Sequence, residues 1–459
     1  MSVDLLTQKE TPDNGGVTGE FITLMGERFY AIRNFNGLAP FLVSVVSSDD
    51  HWLFVSSTGG LTAGRESREK SLFPYITVDK IHESASHTGC KTLIHVRAEG
   101  GRQTWEPFRN KCIERQSFSR NLYQNLLANK LCFEEVNHDL KLVFRYTWAT
   151  SESFGFVRQC ELQNMSDNPI SVELLDGLQN ILPAGTPSHA QTNTSNLVNA
   201  YKWTELDTET GLAIYNLYSS ITDRAEPCES LRANTVFCLG LEDSKVAISS
   251  SQIDDFQRGK QLEQETHSRG IRGAYIASQS LELAPKASKK WQIVADVEKT
   301  QGQVIELRHL LADRSGLAEE LTRSIHQGSD ELARLMAAGD AFQVAASETV
   351  TAHHYANVLF NVLRGGILND QYRVSRHDFA SDVKHFNANT YQRNQVFLDS
   401  LPDALDFNSL LEKVIQNGDP QLERLCRDYL PITFGRRHGD PSRPWNQFTI
   451  KLKDSNRNR

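Results

Sequence analysis

The chain has 459 residues, 39% of them hydrophobic and 23% charged, with a formal net charge of −8 and a sequence pI of about 6.0. This is a globular balance able to bury a core, and at roughly 100–200 residues per domain it fits two to four domains. It excludes a basic field across the chain, so nucleic acid is not expected as the main partner.

Residues 1–16 have neither a basic start nor an apolar run, so no secretory signal is expected and the default location is the cytoplasm. No stretch approaches the ~18–20 apolar residues of a spanning helix, so no membrane partner is expected. The seven cysteines are scattered, without a Cys-x-x-Cys pair. A disulfide framework or zinc ribbon needs clustering, so reduced structural thiols are expected.

The first ~300 residues read as strands by their period-two alternation. Leu42, Val43, Val45 and Val46 lead into a polar turn at 47–50, and Trp52, Leu53, Phe54 and Val55 follow, which predicts a hairpin. Gly59 and Gly60 then make a tight turn; the string through Arg65 lacks the ending of a phosphate-binding loop. Leu142, Phe144, Tyr146 and Trp148 alternate, giving one wide apolar face. Phe156, Cys160 and Leu162 precede the turn 165–169, with Ile170, Val172 and Leu174 beyond it, which predicts another hairpin. Trp291, Ile293, Ala295 and Val297 form the last clear strand. Trp52, Trp105, Trp148, Trp203 and Trp291 sit in or near strand patterns and are expected in the core rather than as sugar platforms. Many strands with few helical patterns between them predict a large antiparallel two-sheet β-sandwich.

The pattern changes near residue 300. Leu307, Leu310 and Leu311, then Leu317, Leu321 and Ile325, have helical spacing. Ser329 is placed to cap a new helix carrying Leu332, Leu335 and Met336. Further helices are expected over 355–364 (stopped by Gly365 and Gly366), 379–398, 410–415 and 421–430. Phe448, Ile450 and Leu452 alternate like the start of one unpaired strand. The domains expected are a β-region over 1–300, a helical linker over 301–345 and a helical region over 346–459.

The string Arg436-Arg437-His438-Gly439-Asp440-Pro441-Ser442-Arg443-Pro444-Trp445-Asn446 is the most site-like. Gly439, Pro441 and Pro444 predict a loop with fixed bends. Sugars are bound by an aromatic stack with planar hydrogen-bonding groups. Trp445 offers the stack, and Asp440, Arg443 and Asn446 offer polar contacts beside His438. Arg436 and Arg437 could hold phosphate bidentately, and Asp440 is a weak candidate general acid. The competing reading is a structural loop tied down by an Arg–Asp pair. His377, Asp378, Asp382 and His385 cluster, and on a helix the last three share a face, but solvated faces carry such groups routinely and no metal is expected. The adjacent His353 and His354 point apart on a helix and make a poor ligand pair. No Gly-x-Ser-x-Gly elbow supports a hydrolase triad.

Four stretches carry a resemblance: 41–60, from Phe41-Leu42-Val43-Ser44 to Thr58-Gly59-Gly60; Asp176-Gly177-Leu178-Gln179-Asn180-Ile181-Leu182-Pro183; Asp223-Arg224-Ala225-Glu226-Pro227; and Arg437 to Asn446. With the β-then-linker-then-helix order, they resemble cellobiose/chitobiose phosphorylases and related glycosidase-like enzymes. The resemblance implies a galactose-mutarotase-like supersandwich, a helical linker and an (α/α)6 barrel, action on oligosaccharides, inorganic phosphate as a co-substrate without other cofactor, and a homodimer. In that group the barrel supplies the general-acid carboxylate and most of the sugar pocket. Few helices follow the linker here, so the expectation is the N-terminal part of such an enzyme, with a partial (α/α) helical domain at 346–459. A non-catalytic carbohydrate-binding or scaffold protein is the rival reading.

Overall fold

The computed structural model describes residues 16–24, 26–98, 101–109, 117–219, 230–338, 342, 348–363, 366–369, 373–429, 433–436 and 449–451. It divides into two units, Met1–Ser329 and Asp330–Arg459.

The first unit is β-rich. β1 (Thr18–Leu24) and β2 (Glu27–Arg33) pair antiparallel. β3 (Leu42–Val45), β4 (His51–Ser56) and β5 (Leu61–Arg65) form a three-stranded meander, confirming the first predicted hairpin. The glycine turn sits between β4 and β5, where a Cβ on Gly60 would lie 2.0 Å from the Ile81 carbonyl oxygen. β6 (Gly89–Ala98), β7 (Gly101–Trp105), β8 (Phe118–Asn125), β9 (Leu131–Asn137), β10 (Leu142–Ser151), β11 (Gly155–Asn164) and β12 (Ile170–Ile181) follow. Two short helices, α1 (Ser188–Asn193) and α2 (Ser195–Tyr201), precede β13 (Lys202–Asp207), β14 (Leu212–Leu217), β15 (Arg232–Leu239) and β16 (Lys245–Ser249). After α3 (Ile253–Gln257) come β17 (His267–Arg269), β18 (Gly273–Leu283) and β19 (Ser288–Thr300).

These strands make an 11-stranded sheet, β1-β2-β8-β9-β10-β11-β19-β15-β14-β13-β17, facing a 5-stranded sheet, β16-β18-β12-β6-β7. The predicted alternation is what builds the core between them. Leu142, Phe144, Tyr146 and Trp148 of β10, and Trp291, Ile293 and Ala295 of β19, share one apolar cluster with Ile94, Val172, Leu174 and Tyr275 of the smaller sheet. Burying each such side chain stabilises by about 1.5–3 kcal/mol.

The hairpin expected around 165–169 is not one. β11 pairs with β10 and β19, whereas β12 pairs with β18 and β6, so this turn carries the chain from one sheet to the other. Asn164, fully buried, holds the corner: its Nδ2 donates to the carbonyls of Asn168, Leu283 and Ala284 at 2.8, 3.1 and 3.1 Å.

α4 (Gln301–Ala312) starts at a capping box formed by Thr300 and Gln303. α5 (Leu317–Ala338) follows without interruption. Ser329 therefore caps no new helix: it lies inside α5, its Oγ donating to the Ile325 carbonyl at 3.3 Å and accepting from Asn129 Nδ2 at 2.8 Å. Leu311, Leu317, Leu321 and Ile325 pack on the outer face of the large sheet against Ala149, Val157, Phe237 and Val294.

The second unit holds α6 (Glu348–Leu363), β20 (Gly366–Asn369), β21 (Arg373–Ser375), α7 (Arg376–Phe386), α8 (Ala388–Arg393), α9 (Gln395–Ser400), β22 (Ala404–Asp406), α10 (Phe407–Asn417), α11 (Pro420–Asp428), β23 (Thr433–Arg436) and β24 (Thr449–Lys451). The single helix expected over 379–398 is three. Asn387 leaves helical geometry at φ −154° and caps α8 through the Thr390 amide, and Asn394 breaks the chain again before α9. Residues 374–429 enclose their own core, including Val374, Phe379, Val383, Leu410, Leu422 and Cys426. The strand expected near 448–452 is paired, not alone: β24 lies on β23, and β23 on β20. Among the described residues, no helix is long and apolar enough to cross a membrane.

Candidate functional site

The described residues include only one member of the C-terminal string. Arg436 ends β23 opposite Gly366, so it belongs to a strand rather than the expected loop, because 433–436 is recruited between β20 and β24. Arg437, His438, Asp440, Arg443, Trp445 and Asn446 lie outside the described residues, as does the string 223–227.

The first unit contains a cleft of about 1140 Å³. One wall is the segment after β7. Phe108 stands there at φ +62°, a left-handed conformation unusual for a large side chain. A buried carboxylate fixes it: Glu135 accepts from the Phe108 amide at 2.7 Å, from Trp105 Nε1 at 2.7 Å and from Arg120 Nε at 2.6 Å. The Phe108 ring meets Phe133 and Tyr146 edge-on, at 5.9 and 5.3 Å between centroids. Arg120 also donates to the Arg109 carbonyl at 2.9 Å and lies 4.6 Å from the Phe118 ring centre.

The opposite wall is the β4–β5 turn and the 3-10 helix at Asp79–Ser86. Ser56 Oγ lies 2.7 Å from both Thr58 Oγ1 and His82 Nδ1, and Thr58 Oγ1 donates to the His82 carbonyl at 2.6 Å. Engaging Nδ1 fixes the imidazole and leaves Nε2 for solvent or a ligand.

The floor is Cys90, Lys91 and Thr92 of β6 with Tyr146 of β10. Thr92 Oγ1 donates to Asp176 Oδ1 at 2.6 Å, and Asp176 Oδ2 accepts from Arg158 at 2.7 Å and Trp291 Nε1 at 2.7 Å. Arg158 and Asp176 are both fully buried, and Arg158 lies 4.6 Å from the Tyr146 ring centre. Burial alone would lower the Arg158 pKa, but the adjacent Asp176 carboxylate raises it well above its ordinary value. Burial pushes the Cys90 thiol up to about 11, so it is no thiolate nucleophile at neutral pH. This buried network positions the floor; it does not itself face a ligand.

The cleft thus combines aromatic rings (Phe35, Phe108, Phe118, Tyr146) with planar or charged polar groups (His82, Glu106, Arg109, Arg120). That combination suits a sugar ring, whose faces stack and whose hydroxyls take hydrogen bonds. Hydrolysis needs two carboxylates disposed across the scissile bond. Glu106 is held by Lys91 Nζ and lies 3.7 Å from Arg109 Nε, so the arrangement fits binding better than acid catalysis. The cleft joins segments far apart in sequence; its one local signal was the Gly59–Gly60 turn.

Asp49, Asp50 and His51 bring ligand atoms within 4.8 Å of one another. Arg65 already fills that position, with Nε 2.6 Å from Asp50, a terminal nitrogen 2.6 Å from Asp49 and the other 3.3 Å from Asp296. A guanidinium there fits an ion-pair latch, not a metal site. Of the histidine–aspartate cluster on α7, Asp378 accepts from Tyr429 Oη at 2.7 Å, tying α7 to the end of α11. Trp105, Trp148 and Trp291 are in the core as expected, while Trp52 and Trp203 are partly exposed.

Residues 368–431 match the family model of glycoside hydrolase family 149 insertion domain 1. The matched model is that of a glycoside hydrolase insertion, in line with the resemblance drawn from the sequence. A comparison with curated proteins found no match. Among solved structures, a bacterial glucoamylase complexed with acarbose is similar at 9% identity and TM-score 0.38, over 84% of this chain and 55% of its own. A polysaccharide lyase is similar at 9% identity and TM-score 0.30, over 57% and 33%. A protein assigned as a kojibiose phosphorylase, from the human microbiome, is similar at 8% and 0.25, over 79% and 35%. The chain therefore spans about half the length of the first and a third of the other two. Likenesses at this level carry no functional argument.

Proposed function

We propose that this chain is the sandwich-and-insertion portion of a glycoside phosphorylase or hydrolase acting on oligosaccharides. The observation that carries the reading is the match of residues 368–431 to a glycoside hydrolase insertion domain. The geometry supports it. The antiparallel pairing of β20 with β23 brings the two ends of the matched segment together, as an insertion requires, and the bundle between them closes its own core. On this reading 368–431 is an inserted domain, not the first hairpins of the catalytic barrel. No described residue is then assigned as the general acid, and phosphate is the attacking group where the reaction is phosphorolysis. The β-unit cleft engages the saccharide. Free thiols at Cys90, Cys132, Cys160, Cys238 and Cys426 support a reducing, cytoplasmic setting.

The ion-paired state of Glu106 supports a second reading, saccharide binding without turnover. Isothermal titration of the chain with β-linked disaccharides and longer oligosaccharides, phosphate present, tests both. Binding is expected, and Phe108→Gly, which keeps the left-handed backbone and removes the ring, should weaken it by about tenfold. Sugar 1-phosphate or free sugar in the same mixtures would select the catalytic reading. A folded chain that binds no saccharide would end both.

A further inference from the structure

A second cavity, of about 310 Å³, opens on the outer face of the large sheet, away from the cleft. Its floor is ordered by strand register. Thr147 of β10 stands opposite Gln159 of β11, Gln159 opposite Gln292 of β19, and Gln292 opposite Leu239 of β15. Two residues along the strands, Glu134, Arg145, Glu161 and Lys290 form the next row in the same way. Two residues in the other direction, Ala149, Val157 and Val294 lie beneath α4 and α5. The face therefore passes from apolar contact, through amides and a hydroxyl, to charges. Ala318 and Thr322 of α5 wall the cavity on its apolar side.

The charges in the outer row cancel. Arg145 is ion-paired with Glu134 and lies 3.5 Å from Glu161, and Lys290 lies 3.7 Å from the same carboxylate. A charged ligand would have to break these pairs, whereas a neutral one would not. The middle row offers both donors and acceptors, and the Gln292 amide oxygen is buried without a hydrogen-bond partner among the described residues. Gly240 shapes the wall: at φ +91° its Cβ position would lie 2.7 Å from the Lys290 carbonyl oxygen, so only glycine lets the chain leaving β15 lie this close to β19. The volume sits at the lower end of the about 300–1,000 Å³ usual for ligand pockets.

We propose that this cavity binds one neutral sugar ring or a polyol of similar size. Thr147, Gln159 and Gln292 take its hydroxyls, and Leu239, Gly240 and Ala318 lie along its C–H face. The proposal is independent of the reading of the cleft.

The test is saturation-transfer NMR and titration of the full chain with neutral hexoses, with glucuronate and glucosamine as charged probes. Neutral hexoses should bind and the charged probes should not. Ala318→Phe, at an exposed helix position, should close the mouth and abolish binding without lowering Tm. Gln292→Leu should weaken binding by about three- to tenfold through the lost hydrogen bond. Phe108→Gly, in the cleft, should leave hexose binding unchanged while weakening oligosaccharide binding. No hexose binding, equal binding of the charged probes, or full binding by both Ala318→Phe and Gln292→Leu would overturn the assignment.

Discussion

The two units hold themselves together differently. The β-unit depends on partners distant in sequence: Asp176 on β12 reaches Thr92, Arg158 and Trp291 on three other strands. The helical bundle depends on short-range caps. Ser375, Asn387, Asp406 and Asp419 each accept an amide hydrogen two or three residues ahead. A polar knot joins α9, α10 and α11 at their ends, where Asn394 donates to Asp419 at 2.7 Å and accepts from Asn417 at 2.7 Å. The contrast suits an inserted domain, which must fold between two fixed ends without borrowing strands from its host.

That contrast can be broken by mutation. The largest effect is expected from Asp176→Ala, which leaves the buried Arg158 charge without its carboxylate and should cost about 3–5 kcal/mol. Five of the six tryptophans, Trp52, Trp105, Trp148, Trp203 and Trp291, lie in the β-unit, so in a Trp445→Phe background tryptophan fluorescence follows its unfolding. A loss under about 1 kcal/mol would show that the buried pair is not what organises the two sheets. Phe379→Ala empties the centre of the bundle, where the ring meets Tyr429 edge-on at 5.3 Å, and should cost the helical unit about 3–5 kcal/mol. Hydrogen exchange should rise across 374–429 and stay unchanged in β6–β12; exchange rising in both would contradict the division.

A pH effect separates the units further. Burial, then the nearby Arg65 charge, lowers the His51 pKa to about 4. Above about pH 6.5 the imidazole is neutral folded or unfolded. As pH falls below that, the unfolded chain takes up the proton first, so stability is lost down to about pH 4, by up to about 3 kcal/mol. His51→Phe should flatten that slope in the β-unit; an unchanged slope would place the titrating group elsewhere. The bundle responds at lower pH. Asn394 foremost, with the Gln421 and Leu422 amides and Arg393, holds the Asp419 carboxyl below the usual carboxylate range. Its contribution is present above about pH 4 and lost as pH falls further. The smallest effect is expected from Asp419→Ala, which removes the α11 cap at a cost of about 1 kcal/mol, read from helical circular dichroism. No change would leave Asp419 without a capping role.

Much of the β-unit was legible because alternation is a local signal: Leu142 to Trp148 and Trp291 to Val297 read as strands and are strands. Which strand pairs with which is not local. The turn at 165–169 has the same chemistry whether the chain folds back in one sheet or crosses to another, so β11 and β12 were read as a hairpin. In the bundle, apolar spacing runs through both breaks; Asn387 marks the first with a side-chain cap, whereas Asn394 makes none and instead donates to the Thr390 carbonyl and Asp419. Ser329 misled in the opposite sense, since a serine that can cap can also donate back to a carbonyl inside a helix. The cleft was illegible because Phe35, Thr58, His82, Thr92, Phe108 and Arg120 come from separate segments that only the sheets bring together.

The measurement that tests the central claim most directly is backbone amide exchange of the full chain with and without a β-linked oligosaccharide. A carbohydrate-active protein that engages saccharide through its sandwich predicts slowed exchange at 57–59, 90–92 and 105–109, with about tenfold more oligosaccharide needed to produce it in the Phe108→Gly variant. Unchanged exchange throughout the β-unit at saturating oligosaccharide would contradict it.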